Sequence, residues 1–464
     1  MNFDAVLLSR LQFAFTIAFH IIFPTFTIGL SAWIATLLVV WRRTGAERYR
    51  TLARFWTRIF AISFAMGVVS GIVMSYEFGT NWSRFSEVVG NVVGPLIGYE
   101  VLTAFFLEAT FLGVMLFGWR RVPPWLHVLS AILVAVGTLF SAFWILSANS
   151  WMQLPAGHVV RDGIAYPADW LAAIFSPTFP LRLIHMALAA YLTTAFVVLG
   201  TGARYLRAGI HRDHALTMLK MGLGMAVVLA PLQLVVGDMH GLAAAAAQPA
   251  KIAAVEAHWD GSEPGALVLF AVPDDKAEAN RFELSIPHGA SLLITHSLDG
   301  RFPGLKDFAP ADRPPVWGPF YGFRVMVGIG LIMIALSFWG AFVWWRGRLE
   351  SSRLFLRLAS ASWPLGFVAV LAGWTVAEVG RQPWLATGIL RTADAVSPVP
   401  AGAIAVTLVL FVLVYGVIFS AGIVYMNRLI RLGPVAEAEP VDGVPSRPLT
   451  GASQGGLDPA GGGG

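Results

Sequence analysis

The apolar segment 11–41, LQFAFTIAFHIIFPTFTIGLSAWIATLLVVW, decides the fold class of this chain. It contains no Asp, Glu, Lys or Arg, and it ends directly before Arg42 and Arg43. A helix needs about 20 mostly apolar residues to cross the hydrocarbon core of a bilayer. The segment is too long for the apolar core of a signal peptide and does not end in a small-residue cleavage site. It therefore predicts a membrane-spanning helix.

Eight further segments have the same character, and together they predict an all-α, polytopic membrane helix bundle of nine transmembrane helices. The composition agrees, because 56% of the residues are hydrophobic and 13% are charged, whereas soluble domains contain about 25% charged residues. The eighth span is the shortest and contains Glu378. The predicted spans are 11–41, 55–78, 95–119, 125–147, 182–203, 217–237, 320–345, 363–380 and 401–427.

The spans lie within a predicted membrane domain, residues 1–430, interrupted by one extended loop at 238–319. This loop is polar and acidic, and its Ala-rich stretch 242–258 predicts a short helix. The C-terminal segment 433–464 is rich in Gly, Pro, Ala and Ser without apolar periodicity. Such a composition predicts a disordered tail.

Basic residues predict the orientation of the bundle, because cytoplasmic loops carry an excess of Lys and Arg. They follow spans 1, 3, 5, 7 and 9, which places the N-terminus outside, the C-terminus in the cytoplasm and the long loop outside. Arg10 is the exception to this alternation. The basic residues that follow the odd spans are Arg42, Arg43, Arg48, Arg50, Arg54, Arg120, Arg121, Arg204, Arg207, Arg212, Lys220, Arg346, Arg348, Arg353, Arg357, Arg428 and Arg431.

The residue types restrict the possible chemistry and partners. The chain has no cysteine, which excludes disulfides, cysteine-ligated zinc, iron–sulfur clusters and c-type haem attachment. A metal must therefore be held by His, Met, Glu or Asp. The basic residues lie in short loops between apolar spans, so the net charge of +5 does not indicate a nucleic-acid partner.

Several polar side chains are predicted to meet in the outer half of the membrane, where ionisable residues are costly and usually functional. Helix direction and a rise of about 1.5 Å per residue place Glu100 near the outer end of its span and Glu108 about 12 Å deeper. His127 is the one spanning histidine at the cytoplasmic end, where it is expected to be an interfacial anchor. The side chains expected at the outer level are His20, His185, Met326, Glu100 and Glu378.

These residue types suit a haem protein. A His and a Met together are typical of a six-coordinate, electron-transferring haem iron, whereas a single His or Glu leaves a position open for a gas. Arg182, Arg324 and Arg381 lie at the same level, and a guanidinium matches the carboxylate of a haem propionate. The alternative for each residue is structural: a hydrogen-bonded His or Glu, or a Met that fills space.

The segment 373–384, GWTVAEVGRQPW, resembles the GWxxxExGRQPW signature of subunit I of the cytochrome bd-type quinol oxidases. Five further segments resemble this family in the same order along the chain, so the resemblance covers about residues 1–430. They are 9–20 (SRLQFAFTIAFH), 99–113 (YEVLTAFFLEATFLG), 149–153 (NSWMQ), 251–259 (KIAAVEAHW) and 324–328 (RVMVG).

The resemblance implies a terminal oxidase of a respiratory chain that oxidises quinol at the outer face and reduces dioxygen to water through three haems. His185 and Met326 are then the axial pair of a low-spin haem b. His20 and Glu378 are the ligands of two high-spin haems, in either order. One of these is a second haem b, and the other is haem d or a third b-type haem.

The resemblance also implies roles for four other residues and a subtype. Glu100 lies at the oxygen-reducing haem, Glu108 on a proton path, and Lys251 and Glu256 in the quinol site of the external loop. That loop reaches span 7 without a long insertion, as in the short-loop members that include cyanide-insensitive oxidases. Ser141 and Ser147 are further candidates for the proton path.

The implied partners are a second polytopic subunit, with room for a small single-span subunit, besides quinol, dioxygen and the lipid bilayer. The implied location is the prokaryotic cell membrane. A proton-coupled secondary transporter is the alternative function, since it also needs intramembrane acids, but it does not explain the meeting of His and Met. A membrane scaffold without catalysis is a third alternative.

Overall fold

The computed structural model describes residues 4–434, and most of them are helical. Five residues between α3 and α4, Val101–Phe105, form a π-helical turn that continues one helix into the next. The helices are α1 (Ala5–Thr44), α2 (Glu47–Thr80), α3 (Ser83–Glu100), α4 (Phe106–Phe117), α5 (Pro124–Gln153), α6 (Trp170–Ile174), α7 (Phe179–Ala208), α8 (Arg212–Ala247), α9 (Pro249–Glu256), α10 (Gly289–Thr295), α11 (Trp317–Trp345), α12 (Arg353–Ala361), α13 (Leu365–Val379) and α14 (Ala401–Leu432).

Within the described part of the chain, three small antiparallel hairpins lie in the connections between the helices. The largest belongs to the loop between α8 and α11, residues 248–316, which is called the long loop from here on. The paired strands are β1 (His158–Arg161) with β2 (Ile164–Pro167), β3 (Leu267–Asp274) with β4 (Ala279–Ile286), and β5 (Trp384–Ala386) with β6 (Leu390–Arg391).

The prediction of an all-α membrane bundle is confirmed. Within residues 4–434, eight helical segments are long and apolar enough to cross a membrane, and a ninth results if the bent pair α12–α13 counts as one span. This pair bends by 43° at the predicted eighth span. The bend lies at Pro364, and proline disfavours helix in the residue before it.

The predicted starts of several spans were too late in the chain. The third helical segment begins at Ser83, so Glu100 lies almost five turns along it and not near its first residue. Its first turns contain polar residues, which hydropathy alone does not count as membrane-spanning. Helix α8 likewise extends to Ala247, ten residues beyond the predicted end of span 6, and takes up the first part of the predicted loop.

Helix α1 lies at the centre of the bundle and packs against α2, α5 and α7. Glycines allow the close approach of α7 and α8, because a Cβ at Gly202 would lie 2.7 Å from the carbonyl oxygen of Ala215. A Cβ at Gly222 would lie 3.0 Å from the carbonyl oxygen of Ala195. Small residues at helix contacts are typical of membrane bundles, where backbones pack closely.

The Ala-rich stretch predicted to be helical is divided between the end of α8 and the separate helix α9. The division falls at Gln248 and Pro249, where proline provides no N–H for a continuous helix. Helix α9 carries Lys251 and Glu256, and both side chains are buried. Residues 435–464 of the predicted tail lie outside the described residues.

Candidate functional site

One cavity of about 1320 Å³ lies between the helices, and all ten residues proposed as site residues line it. They come from seven helices and from the segment that follows α13. The lining includes His20, Glu100, Glu108, His185, Lys251, Glu256, Arg324, Met326, Glu378 and Arg381.

The two histidine candidates stand on α1 and α7, each next to a glycine of a neighbouring helix. His20 Nδ1 lies 3.0 Å from Ser70 Oγ, and a Cβ at Gly71 would lie 3.1 Å from His20 Cε1. A Cβ at Gly237 would lie 3.1 Å from His185 Cε1. Both rings also face the cavity, and the absence of a Cβ at the two glycines leaves room for each imidazole to turn toward a group bound in the cavity.

Met326 on α11 also faces a glycine. A Cβ at Gly373, the first residue of the signature segment on α13, would lie 2.7 Å from Met326 Sδ. Real Cβ atoms essentially never approach another atom that closely. The signature glycine therefore provides the space that the thioether occupies at the cavity wall.

A further histidine, His240, lines the same cavity, with its ring centroid 5.8 Å from that of His185. The sequence reasoning missed it because span 6 was predicted to end at 237, which assigned His240 to the loop. Gln233 was missed as well; its Nε2 lies 3.2 Å from His185 Nε2. Gln233 is an amide inside an apolar span, and that polarity is the signal that would have found it. His240 lies seven residues, or about two helical turns, further along the same helix, and extending the span to that position would have found it as well.

Glu378, at the end of α13, belongs to a buried cluster of charged and polar groups. It pairs with Arg381, and its Oε1 lies 3.9 Å from Arg182 Nη2. The same oxygen accepts hydrogen bonds from Asn149 Nδ2 at 3.1 Å and Gln153 Nε2 at 3.3 Å. The carboxylate is thus held in position from both sides.

Arg381 has donor capacity left over. Its side chain is buried, and its Nε and Nη1 atoms have no partner among residues 4–434. A buried guanidinium with unused N–H groups costs free energy unless an acceptor is present. It is therefore suited to an anionic group placed in the cavity, such as a carboxylate.

Lys251 is buried next to this cluster and is joined to it by one glutamine. Its Nζ donates to Gln153 Oε1 at 2.5 Å and to Gln248 Oε1 at 2.7 Å. Burial, assisted by the charge of Arg182, lowers the pKa of Lys251 well below its usual value. A lysine amine with a lowered pKa can act as a proton acceptor. Gln153 was noted in the sequence only as part of a motif, without a role.

Glu256 and Arg324 meet, although they are 68 positions apart. Arg324 Nη2 donates to Glu256 Oε2 at 3.1 Å, and burial raises the pKa of Glu256 while Arg324 opposes that shift. Arg324 also donates to the carbonyl oxygens of Val268 and Val255. Most of its donors are therefore used within the chain, which leaves Arg381 better suited than Arg324 to a propionate.

The two glutamates of the third segment face the cavity on either side of the π-helical turn. Eight residues of regular α-helix would rotate Glu108 about 80° away from Glu100, and the wider π-turn offsets part of that rotation. Glu100 Oε1 accepts a hydrogen bond from Ser141 Oγ at 2.7 Å. Glu108 is buried, and its Oε1 has no partner among residues 4–434.

Other polar residues of the spans serve the fold. His127 is buried, with its Nε2 3.0 Å from the carbonyl oxygen of Met115, so it is a core histidine and not the expected interfacial anchor. Ser147 Oγ donates to the carbonyl oxygen of Ile174 at 2.8 Å, and Ser147 is not among the residues that line the cavity, so its place on a proton path stays a prediction without a supporting contact.

The family model "Cytochrome bd terminal oxidase subunit I" matches residues 8–434 of the chain. The chain belongs to this family. Subunit 1 of the cytochrome bd-II ubiquinol oxidase of Escherichia coli (strain K12) is 34% identical, over 93% of this chain and 98% of that relative. Subunit 1 of the cytochrome bd ubiquinol oxidase of Bacillus subtilis (strain 168) is 36% identical, over 92% and 94%.

The fold agrees with that membership. The bd oxidase of Geobacillus thermodenitrificans superimposes with a TM-score of 0.86 and 33% sequence identity, covering 94% of this chain and all of that chain. As a cytochrome bd subunit I, the chain is a multi-pass prokaryotic membrane protein and an oxidoreductase that carries haem.

The residues of this cytochrome bd subunit fit haem as the cofactor. The cavity offers His and Met donors, which are known axial ligands of haem iron, and Glu carboxyl groups line the same cavity. Glycines next to His20, His185 and Met326 leave space around each donor. The unused N–H groups of Arg381 match the propionate carboxylates that every haem carries.

Proposed function

We propose that this chain is the catalytic subunit of a quinol:dioxygen oxidoreductase that oxidises quinol at the outer face of the membrane and reduces dioxygen to water. Family membership makes it a terminal oxidase subunit. The observation that carries the finer proposal is the shared cavity, since candidates for quinol oxidation, iron ligation and proton delivery all line one space.

Three haems are proposed to occupy this cavity: two of type b and one of type d, or a third of type b in its place. Bound haem supplies reversible one-electron chemistry and an iron position that dioxygen can take. His185 and Met326 hold the low-spin haem, while His20 and Glu378 hold the two high-spin haems, in either order. Arg381 is the first candidate to bind a haem propionate, because its Nε and Nη1 atoms have no partner among residues 4–434. Arg324 is the second candidate.

Quinol oxidation is assigned to Lys251 and Glu256 on α9. Both side chains are buried at the cavity. Burial favours the neutral amine of Lys251, which can accept a proton from a quinol hydroxyl, whereas Glu256 can accept one as the carboxylate that the hydrogen bond from Arg324 stabilises. The hydrogen bonds from Lys251 to Gln153 and from Gln153 to Glu378 connect this site to a proposed iron ligand. Release of the quinol protons on the outer side follows from the predicted orientation.

Protons for dioxygen reduction are assigned to a path through Glu108 and Glu100 from the cytoplasm. Both carboxyl groups face the cavity, and Ser141 donates to Glu100. A buried acid without a partner for one oxygen, as at Glu108, is more readily explained by proton transfer than by a structural hydrogen bond. Charge then separates across the membrane, because the protons from quinol are released on the outer side whereas the protons for dioxygen reduction are taken up from the cytoplasm.

The assembly is proposed to contain a second polytopic subunit, with a small single-span subunit as an additional candidate. The family, whose relatives are named as numbered oxidase subunits, supports the first. Helix α14 presents mostly exposed apolar side chains, and this face is available to lipid or to a partner helix.

The low-spin ligand pair provides the sharpest test. His185→Ala and Met326→Ala are each expected to abolish the low-spin signal in a reduced-minus-oxidised spectrum, while His127→Ala, a core histidine outside the cavity lining, is the matched control. Retention of an intact low-spin spectrum in either ligand variant would show that its assignment is wrong. The same spectrum decides between haem d and a third haem b.

A further inference from the structure

The hairpin β3–β4 of the long loop exposes an unusual number of large apolar side chains. Phe282 is 84% exposed and Leu284 is 62% exposed. Extramembrane surfaces rarely present so many large apolar groups together unless something covers them. The exposed set is Leu269, Phe270, Val272, Phe282, Leu284 and Ile286.

The hairpin lies beside the outer turns of span α11, which fixes its depth. Tyr321 Oη donates to the carbonyl oxygen of Ala271 at 2.7 Å, and Arg324 Nε donates to that of Val268 at 2.7 Å. Arg324 lies about 10 Å along α11 from the first residue of that helix, Trp317. The start of β3 therefore reaches deeper along the span than its end does.

Polarity changes along the hairpin in the same direction. The deep end pairs Leu267 with Ile286, and Phe270 with Leu284. The shallow end pairs Asp274 with Ala279 and closes in a turn. The charged residues of that turn region are Asp274, Asp275, Lys276 and Glu278, and Arg281 and Glu283 follow on β4. Arg281 pairs with Asp274 of the turn, and Glu283 accepts hydrogen bonds from Asn280 and Ser285. The deepest strand pairs are thus apolar and lie beside the span, and most of the charged residues lie toward the turn.

One face of β3 is already occupied. Val268 and Ala271 are buried in a cluster with Phe320 of α11 and residues of α9. The exposed side chains belong to the remaining surface of the hairpin, which no residue among 4–434 covers. Leu267 and Leu269 line the cavity described above, so the deep end of the hairpin also borders the cavity opening.

This surface continues the lipid-facing flank of α8. Helix α10, which follows β4, contacts α8 and itself exposes Leu292 and Leu293. The exposed apolar side chains of α8 that do not line the cavity run along the membrane-spanning part of that helix toward the loop; they are Val228, Leu232, Val235 and Met239. Continuity with a surface that faces acyl chains favours lipid as the occupant.

We infer that the deep end of the β3–β4 hairpin is embedded in the leaflet on its own side of the membrane, where acyl chains cover Phe270, Phe282, Leu284 and Ile286. The charged turn stays in water. One consequence rests on the proposed function: the cavity opening beside Leu267 and Leu269 is in lipid, where a quinol is dissolved.

The absence of cysteine from this chain allows a direct test on the complete enzyme in phospholipid vesicles. Nitroxide labels are attached to Phe282→Cys and Leu284→Cys, with Lys276→Cys in the charged turn and Val228→Cys on α8 as water and lipid references. Wild-type enzyme treated with the same label gives the background from partner subunits. The enzyme is kept oxidised and without quinol, so that oxygen is a collision reagent only.

Collision with oxygen and with a water-soluble nickel chelate is measured by electron paramagnetic resonance. The expected result is an oxygen-to-chelate collision ratio at positions 282 and 284 that matches position 228 and exceeds that at position 276 several-fold. A ratio like that of position 276 would show a water-exposed hairpin and overturn the inference. Labels that neither reagent reaches would show a protein partner on this surface, which overturns it equally.

Folding and function are checked separately from this readout. Each labelled variant must retain the haem spectrum of the wild type, and Ile286→Cys replaces any variant that does not. Because the collision ratio does not depend on turnover, an enzyme that fails to oxidise quinol contradicts the proposed function and leaves the lipid result readable.

Discussion

Three side chains proposed as iron ligands each face a glycine of a neighbouring helix. His20 faces Gly71, His185 faces Gly237, and Met326 faces Gly373. Side chains in packed interiors tolerate little added volume. The position of each proposed ligand side chain therefore depends on the glycine that it faces, because a larger residue there would occupy the same space.

Replacing Gly373 or Gly237 by alanine is expected to disturb the low-spin haem. The added methyl group overlaps Met326 Sδ or crowds His185 Cε1. A free side chain moves aside at little cost, but one that holds an iron cannot, and the overpacking then costs about 1–3 kcal/mol. If that cost falls on one oxidation state, the midpoint potential shifts by about 40–130 mV. Redox titration of the low-spin band measures it. Gly224→Ala on α8, where a Cβ has nothing within 4 Å, is the control and should titrate as wild type; an equal shift there would contradict the idea.

Lys251 leads to a prediction about pH. Burial lowers the pKa of its amine, so the neutral, proton-accepting fraction rises as pH increases through that lowered pKa, and quinol oxidation should accelerate in the same direction. Lys251→Arg stays protonated at any working pH and should lose this rise, with activity reduced by about 100-fold on the alkaline side.

Steady-state quinol oxidation across the pH range measures this effect, with Lys306→Arg, an exposed lysine of the same loop, as control. All haem bands should persist in both variants. An unchanged pH profile in Lys251→Arg would remove Lys251 from the quinol site.

At the scale of the element, the π-helical turn at Val101–Phe105 separates the two glutamates of the third helical segment. Single π-turns inside helices are frequent at functional sites. Here the turn brings Glu100 and Glu108 toward the same cavity although they are eight residues apart. The path assigned to them follows one helix, so a change at Glu108 need not affect quinol oxidation near α9.

Glu108→Gln is therefore expected to slow oxygen consumption by about 100-fold or more, because an amide cannot release a proton. Reduction of the low-spin haem by quinol should still occur in stopped-flow measurements. The matched control is Glu87→Gln on α3, which removes an exposed partner of Arg84. Near-normal oxygen turnover in Glu108→Gln would refute the relay role, since glutamine preserves the size of the side chain.

At the scale of the whole molecule, the orientation in the membrane determines on which side quinol protons are released and on which side protons for dioxygen reduction are taken up. Basic residues follow the odd spans, which predicts an external N-terminus and a cytoplasmic C-terminus. A fluorescent protein fused to the C-terminus should therefore fluoresce in cells, and alkaline phosphatase inserted after Lys276 in the long loop should be active. A C-terminal fusion that does not fluoresce, together with an inactive phosphatase in the loop, would show the opposite orientation and would exchange the proposed sides of proton release and uptake.

The membrane spans could be predicted from the sequence because the bilayer imposes a length and a composition on each span. The same holds for the candidate residues, since His20, His185 and Glu378 are polar groups within apolar segments, where such groups are rare. The signature segment 373–384 identified the family before any contact was known. Span ends were less predictable, because polar turns such as those after Ser83 continue a helix without meeting a hydropathy criterion.

Contacts between distant parts of the chain were decided by the tertiary structure alone. The link from Lys251 through Gln153 to Glu378 joins residues about 100 to 225 positions apart, and hydropathy contains no information about which helices become neighbours. Packing also determined that Glu256 accepts a hydrogen bond from Arg324 and that Gly373 leaves room for Met326. It determined as well how deep along α11 the β3–β4 hairpin lies. Sequence patterns indicate whether each segment lies in lipid or in water, whereas the shape and the hydrogen bonds of facing side chains determine which segments pack against each other.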